Sequence, residues 1–356
     1  MKGMEKKRKK RKGLLVSAIV LLSLCALYFG GGYLAGLLVP SLIFSGRQSE
    51  KGEGEGSFAS LTYENRGDCP SLSNRKEVAF LSGENSLKGY FYQAKDAKGT
   101  FLFAHGMHGH ADDATAMVQD WILSEGYSVF AIDLTASGAS EGEGISSLAQ
   151  GAYDVKAALD YLFNQTDFYA PMSDLYLCGY SWGAYSVAAS LNFDYPSKIS
   201  GVLCFSGFET PEGEMVALAR NYIGFLADMN ALTLDWGMAT RVGEDRFLSA
   251  SEGILSSGAK AYLVHGDQDA TVPLDASLYQ SLGEGEKVKK KLKKGFGHTR
   301  PWIEPSSLEK CKELEARYEE KGSEEYRKGL TEEEKEEANR IDEETMKEAL
   351  SFLAGD

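Results

Sequence analysis

Apolar and polar residues are patterned in three ways along this chain. From residue 13 to 44 the run GLLVSAIVLLSLCALYFGGGYLAGLLVPSLIF contains no charged side chain. Roughly 20 apolar residues suffice to cross the hydrocarbon of a bilayer, so this run predicts a transmembrane helix. Between residues 75 and 300 short apolar runs alternate with stretches of helical spacing. From 304 to 340 charged residues dominate, and helix starts are predicted at Ser306-x-x-Glu309 and Thr331-x-x-Glu334, as solvated surface helices. Residues 341–353, IDEETMKEALSFL, then place Ile341, Met346, Ala349, Leu350 and Leu353 on one face, as a final helix packed on a core would.

The middle region carries the fold. EVAFLSG and LKGYFYQA flank Glu84-Asn85 and predict an opening antiparallel hairpin. TFLFAHG (100–106), YSVFAIDL (127–134), DLYLCGY (174–180), ISGVLCFSGF (199–208) and AKAYLVHGD (259–267) read as strands. DATAMVQDWILSEG (113–126), SLAQGAYDVKAALDYLFNQ (147–165) and WGAYSVAASLN (182–192) read as helices. Strands that are apolar almost throughout, alternating with helices, predict an α/β fold with a mostly parallel central sheet covered on both faces. Ligands in such sheets bind beyond the carboxyl ends of the strands, so the chemistry is expected just after each one. Residues 209–258 interrupt the alternation with EMVALARNYIGFLADMNALTLDWGM, which is apolar and helix-prone. A small helical lid is the expectation there, with ordinary core helices as the alternative.

Charge sharpens this picture. The net charge of −14 hides a first segment, MKGMEKKRKKRK (1–12), of +7, which leaves −21 for the remainder. An acidic body argues against a nucleic-acid partner, because phosphate binding needs a basic surface. A lysine-rich flank before an apolar run predicts a cytoplasmic N-terminus and an extracytoplasmic body. A cleaved signal peptide is the alternative, but the run is longer than a usual signal core and no A-x-A site follows it. The chain is thus expected to divide into a basic cytoplasmic segment (1–12), a single-pass cell-membrane anchor (13–44), a Gly-rich linker (45–59) and one folded domain (60–356). The lid (209–258) and the charged helical insertion (304–340) belong to that domain.

The five cysteines, at 25, 69, 178, 204 and 311, lack metal-site spacing. Cys69 and Cys311 are candidates for a pair in an oxidising compartment. Asn164-Gln165-Thr166 is a glycosylation sequon. Three of the five histidines cluster in AHGMHGHA (104–111), next to Asp112. No second ligand cluster completes a coordination shell, so these read as loop or pocket-rim residues, with no metal or cofactor expected.

One motif points to chemistry. DLYLCGYSWGAY (174–185) runs a strand into Gly179-Tyr180-Ser181-Trp182-Gly183 and then a helix. In a G-x-S-x-G turn the glycines relieve clashes in a tight strand-to-helix corner that exposes the serine. The next N–H, that of Trp182, can then face a developing oxyanion. A serine hydroxyl needs an adjacent base to act as a nucleophile. Folds with this turn carry the order serine, acid, histidine. Of the histidines at 105, 108, 110, 265 and 298, only His298, in KKGFGHTRPW, follows both Ser181 and a well-placed acid. For the acid, VHGDQDATVP (264–273) offers Asp267 and Asp269, with Asp275 a distant third. Tyr180 and Trp182 are expected to shape the groove beside the serine.

HGMHGH after an early strand, GYSWGA at the corner, HGDQDATVP before the acid and GFGH at the base together resemble the α/β-hydrolase family over roughly residues 75–300 and the last helix, and membrane-anchored bacterial members most of all. The family's acid loop, H-G-x-x-D-x-x-V-P, implies Asp269 rather than Asp267. Its H-G-x loop implies that Met107 supplies the second oxyanion N–H. The family segment D-x-R-G-x-G-x-S appears as DLTASGAS, with Thr135 and Ala136 in place of Arg and Gly. The resemblance implies a Ser181-His298-Asp269 triad that cleaves carboxylic esters of a small or lipid-like substrate through an acyl-enzyme. A serine peptidase acting on short peptides and a non-catalytic anchored binding module are the alternatives.

Overall fold

The computed structural model describes residues 2–49, 75–164, 174–195, 199–321 and 329–355. Most of the expected linker, Cys69 and the end of the sequon lie outside them. The helix α1 (Lys2–Phe44) is followed by the hairpin β1 (Lys76–Ser82) and β2 (Asn85–Tyr92). The alternation then runs β3 (Thr100–Ala104), α2 (Ala116–Ser124), β4 (Ser128–Ile132), α3 (Gln150–Asn164), β5 (Leu175–Tyr180), α4 (Trp182–Ser190) and β6 (Gly201–Phe205). Two helices, α5 (Pro211–Ile223) and α6 (Leu226–Val242), precede α7 (Ala250–Ser257) and β7 (Lys260–Gly266). A short α8 (Leu278–Ser281) leads to β8 (Val288–Lys293), and α9 (Pro305–Lys321), α10 (Glu332–Ala338) and α11 (Glu343–Ala354) close the chain.

The eight strands form one sheet in the order β1-β2-β4-β3-β5-β6-β7-β8. The pairs β1/β2 and β2/β4 are antiparallel and the rest parallel. Every residue of β3, β4 and β6 is buried. Successive side chains point to opposite faces, so each strand feeds two cores. Leu102, Phe130, Leu177 and Val202 face one core, which α3, α4 and α7 cover. Phe101, Phe103, Val129 and Leu203 face the other, beneath α2, α9 and α11. The strand β8, VKKKLK, is a lysine-rich edge, a composition that discourages pairing with another chain.

Several boundaries differ from the sequence reading. The expected helix start at Ser306 shifts to Pro305, whose fixed φ suits the first helical position. Thr331 and Glu334 form the expected reciprocal cap of α10. The last helix starts after Asp342, whose side chain caps it, so Ile341 precedes it and bridges to Ile303. Within the expected lid, α7 packs on α4, with Gly253 close to Ala188 O, and belongs to the sheet's cover.

The first residues of the expected linker are held down. Phe44 is buried in the core, and its carbonyl accepts from Ile145 N at 2.9 Å. The Arg47 guanidinium donates to the carbonyls of Gly138, Ser140 and Gly142 at 2.9–3.1 Å. Gln48 N donates to Ala136 O, and Ser49 Oγ to Gly109 O. Residues 44–49 therefore strap α1 across the loops after β3 and β4.

The segment DLTASGAS, which departs from the family pattern, is tied down from inside. The Asp133 carboxylate accepts from Tyr90 OH, Ala111 N and Ala139 N at 2.8–2.9 Å. Thr135 donates from N and Oγ1 to Asp154, which also accepts from Ser82 Oγ at 2.7 Å. Asp154 is fully buried, so removing its carboxylate would strand several donors. Asp154→Ala is expected to lower stability by about 2–4 kcal/mol, read as a reduced urea midpoint of the detergent-solubilised chain.

Candidate active site

The structure brings the residues singled out after β5, β7 and β8 to one place. Ser181 occupies the corner between β5 and α4 with φ +54° and ψ −119°. Such a backbone is strained for a residue with a side chain, and it is held from several sides. Ser181 N donates to Phe205 O at 2.8 Å, and Tyr185 N to Ser181 O at 3.1 Å. A Cβ on Gly183 would overlap the carbonyl of Ala104, and one on Gly179 would overlap Gly183. Both glycines are thus required by close approach of backbone to backbone.

His298 Nε2 lies 2.8 Å from Ser181 Oγ, and His298 Nδ1 lies 2.8 Å from Asp269 Oδ2. The other Asp269 oxygen accepts from Thr271 N and Val272 N at 3.0 and 2.8 Å. A buried carboxylate so engaged holds the ring with Nδ1 protonated and leaves Nε2 free to accept the serine proton. Asp267 does other work, accepting from Gly295 N at 2.7 Å. Asp275 pairs with Arg220 at the surface.

Gly106 stands against the serine, close enough that a Cβ there would sit 3.3 Å from Ser181 Cβ. This sets the loop carrying Met107 beside the start of α4. Among the described residues neither Met107 N nor Trp182 N donates to a protein acceptor. The Trp182 side chain departs from expectation. It is buried in the core, where Nε1 donates to Leu148 O at 2.6 Å, and so it does not line a groove. Pointing helix-first from the corner, α4 turns that ring under the sheet.

Tyr180, expected beside the serine, is joined by residues that sequence patterns did not single out. The Tyr180 ring lies 5.3 Å from that of His298 and edge-on to Trp302 at 5.2 Å. Trp302 packs edge-on against Phe205. Between the base and this tryptophan, Arg300 is buried with φ +55°. Its Nη1 donates to Asn339 Oδ1 at 3.1 Å and Ala338 O at 3.4 Å. The charged insertion is thereby fastened to the histidine loop. The only sequence signal was position, since TRPW follows His298 directly. Glu214 of α5 is buried near Asp269, and among the described residues its Oε2 has no partner. Burial, then the neighbouring Asp269, pushes its carboxyl well above the usual range.

The remaining histidines are structural. His105 Nδ1 donates to Gly106 O at 2.7 Å, and Nε2 accepts from Leu134 N at 3.1 Å. His265 Nε2 donates to Val272 O at 3.0 Å. His108 Nδ1 meets Gln48 O at 3.0 Å, and His110 Nδ1 accepts from Asp112 N at 3.2 Å. Among the described residues no cluster of His, Cys, Asp and Glu is arranged to hold a metal ion.

A family model described as serine aminopeptidase, S33, matches residues 95–236. No curated protein matches the chain. An esterase from Pyrococcus furiosus is similar in structure, with 17% identity, a TM-score of 0.53, and 78% of this chain and 98% of that one covered. Est1E from Butyrivibrio proteoclasticus, solved with ferulic acid, has 19% identity and a TM-score of 0.47, covering 68% of this chain and 100% of that one. An acylaminoacyl peptidase from Pyrococcus horikoshii has 18% identity and a TM-score of 0.47, covering 63% and 37%. At 17% identity the likeness to the Pyrococcus furiosus esterase speaks for the fold alone, which is that of the α/β hydrolases.

Burial lowers the pKa of both His105 and His265 below the ordinary value of 6.5. The unfolded chain then takes up protons that the folded one refuses. Their contribution to stability is present in full above pH 6.5 and is lost as pH falls through the lower folded values. Urea midpoints are expected to fall as pH drops below about 6.5, and less steeply in His265→Gln.

Proposed function

From the α/β-hydrolase fold, we propose that this chain is a membrane-anchored serine hydrolase that cleaves carboxylic esters. The unbroken hydrogen-bond path from Ser181 Oγ through His298 to Asp269 carries the reading. Ser181 Oγ attacks the ester carbonyl carbon while its proton passes to His298 Nε2. The carbonyl electrons move to oxygen, and the N–H groups of Met107 and Trp182 stabilise that oxyanion. Collapse expels the alcohol, which takes the proton from Nε2, and leaves Ser181 acylated. Water then adds with its proton passing to Nε2, the acid departs, and the proton returns to Oγ. Asp269 stays ionised throughout and steadies the imidazolium.

The family model favours a second reading, cleavage of peptides from a free N-terminus. Such a substrate presents an ammonium group, which calls for an anionic partner. Glu214, the buried carboxyl near Asp269, is shifted by burial toward its neutral form, which makes it a poorer partner for a cation. That shift supports the ester reading over the peptide one.

The helix α1 contains one span, Leu14–Leu38, long and apolar enough to cross a membrane. A leader cut away on export contributes nothing to a fold. Here Phe44 is in the core and Gly36 is packed against Gly237, which supports a retained anchor with the basic segment inside and the body outside.

Ser181→Ala is expected to abolish fluorophosphonate labelling and to cut turnover of short-chain aryl esters by about 10⁴-fold or more. Asp269→Asn should cost about 10⁴-fold by inverting the histidine tautomer, whereas Asp267→Asn should stay within about threefold of wild type. Labelling that survives Ser181→Ala would move the nucleophile elsewhere. In a parallel assay, kcat/KM for aminoacyl anilides above that for the matched aryl esters would replace the esterase reading with the peptidase one.

A further inference from the structure

The α5–α6 hairpin carries an apolar face that the body leaves uncovered. Along α6 and its N-cap, Phe225, Met229, Leu232 and Trp236 are 72%, 59%, 82% and 63% exposed. Spacings of four, three and four put them on one stripe of the helix. The opposite face, with Ala227, Leu234 and Met238, is buried. Soluble surfaces rarely present so continuous an apolar stripe unless something covers it.

What lies beside the stripe identifies the cover. The apolar helix α1 packs along α6 through small residues, with Gly36 against Leu234 O and Gly237, and Gly237 against Tyr33 O. Tyr33 also meets the Trp236 ring at 4.7 Å and Thr240 Oγ1 at 3.4 Å. Close backbone approach at glycines is the packing mode of helices in lipid. Exposed Leu34 and Leu38 of α1 continue the apolar surface of α6. The uncharged run 13–44 has 32 residues, which is about 48 Å of helix against about 30 Å of hydrocarbon. Its last turns therefore reach headgroup level on the side of the body, where α6 lies. A tryptophan and a tyrosine at that level suit the polar boundary of a bilayer. The acidic residues of α6 are paired: Asp228 with Arg220 of α5 and Asp235 with Arg246.

We infer that the outer face of α6 is seated in the surface of the same bilayer that α1 crosses. The inference rests on the reading of α1 as a membrane anchor. An interfacial helix buries its apolar face some 5–10 Å into the headgroup and acyl boundary, and Phe225, Met229, Leu232 and Trp236 form such a face.

The test uses the full chain in phosphatidylcholine vesicles with and without brominated acyl chains. In a Cys25→Ser/Cys69→Ser background, Leu232→Cys is labelled with an environment-sensitive fluorophore. Leu81→Cys, on the exposed hairpin strand β1, gives the reference, and native Cys25 in the Cys69→Ser protein reports on α1 itself. Quenching of the Leu232 label by about twofold, together with quenching at Cys25 and none at Leu81, is the expected result. Quenching at Cys25 but not at Leu232 would overturn the seated helix and leave the anchor standing. No quenching at either would overturn the anchor and the inference with it. Efficient cross-linking between two chains through Leu232→Cys would assign the face to a second copy instead.

Discussion

A serine with φ +54° is the constraint from which the rest of the site follows. The conformation costs of order 1–3 kcal/mol and persists only where its surroundings leave no alternative. Here the surroundings are other backbone: the end of β3 beneath Gly183, the last carbonyl of β6 above Ser181 N, and the first turn of α4. Any side chain at 179 or 183 would separate these layers. The same contact that strains the serine also sets the loop after β3 beside it. Candidate nucleophile and candidate oxyanion donors are thus positioned by one piece of packing.

His298 and Asp269 are fixed by a different device. They sit on loops after β7 and β8, near the lysine-rich edge of the sheet, where less structure is available to hold them. The charged insertion fills that role. Arg300, buried between His298 and Trp302, reaches carbonyl and amide oxygens at the end of α10. Trp302 in turn packs against Tyr180, the neighbour of the serine. A segment that reads as solvated helices therefore bears on the histidine through its uncharged end.

Much of this was legible in sequence for physical reasons. A strand buried on both faces must be apolar at successive positions, so β3 through β7 announced themselves. Ser181 and His298 could be named because a strained corner demands glycines at 179 and 183 and because histidines are few, whereas Asp269 was separated from Asp267 only by the resemblance to the family's acid loop. The edge strand β8 was not delineated, since VKKKLK is polar on purpose and has no apolar period. Trp182 misled, because adjacency in sequence to a catalytic candidate says nothing about which side of a helix a ring takes. Arg300 was invisible for a related reason: its partners are a carbonyl and an amide almost 40 residues away, and neither leaves a mark in residue type.

The strap at residues 44–49 also dictates an order of assembly. During synthesis α1 emerges first, yet its partners come much later: the carbonyls that bind Arg47 lie 91–95 residues downstream, and Thr240 lies 207 residues beyond Tyr33. In an anchored chain the helix would already be threaded through lipid when the hairpin that flanks it leaves the ribosome. The hairpin then searches for a partner tethered to the same molecule and confined near one surface, which raises its effective concentration far above that of free diffusion. Docking of α6 on α1 becomes the closing step of folding, and a body released from its anchor would fold its sheet but lack the surface that completes it.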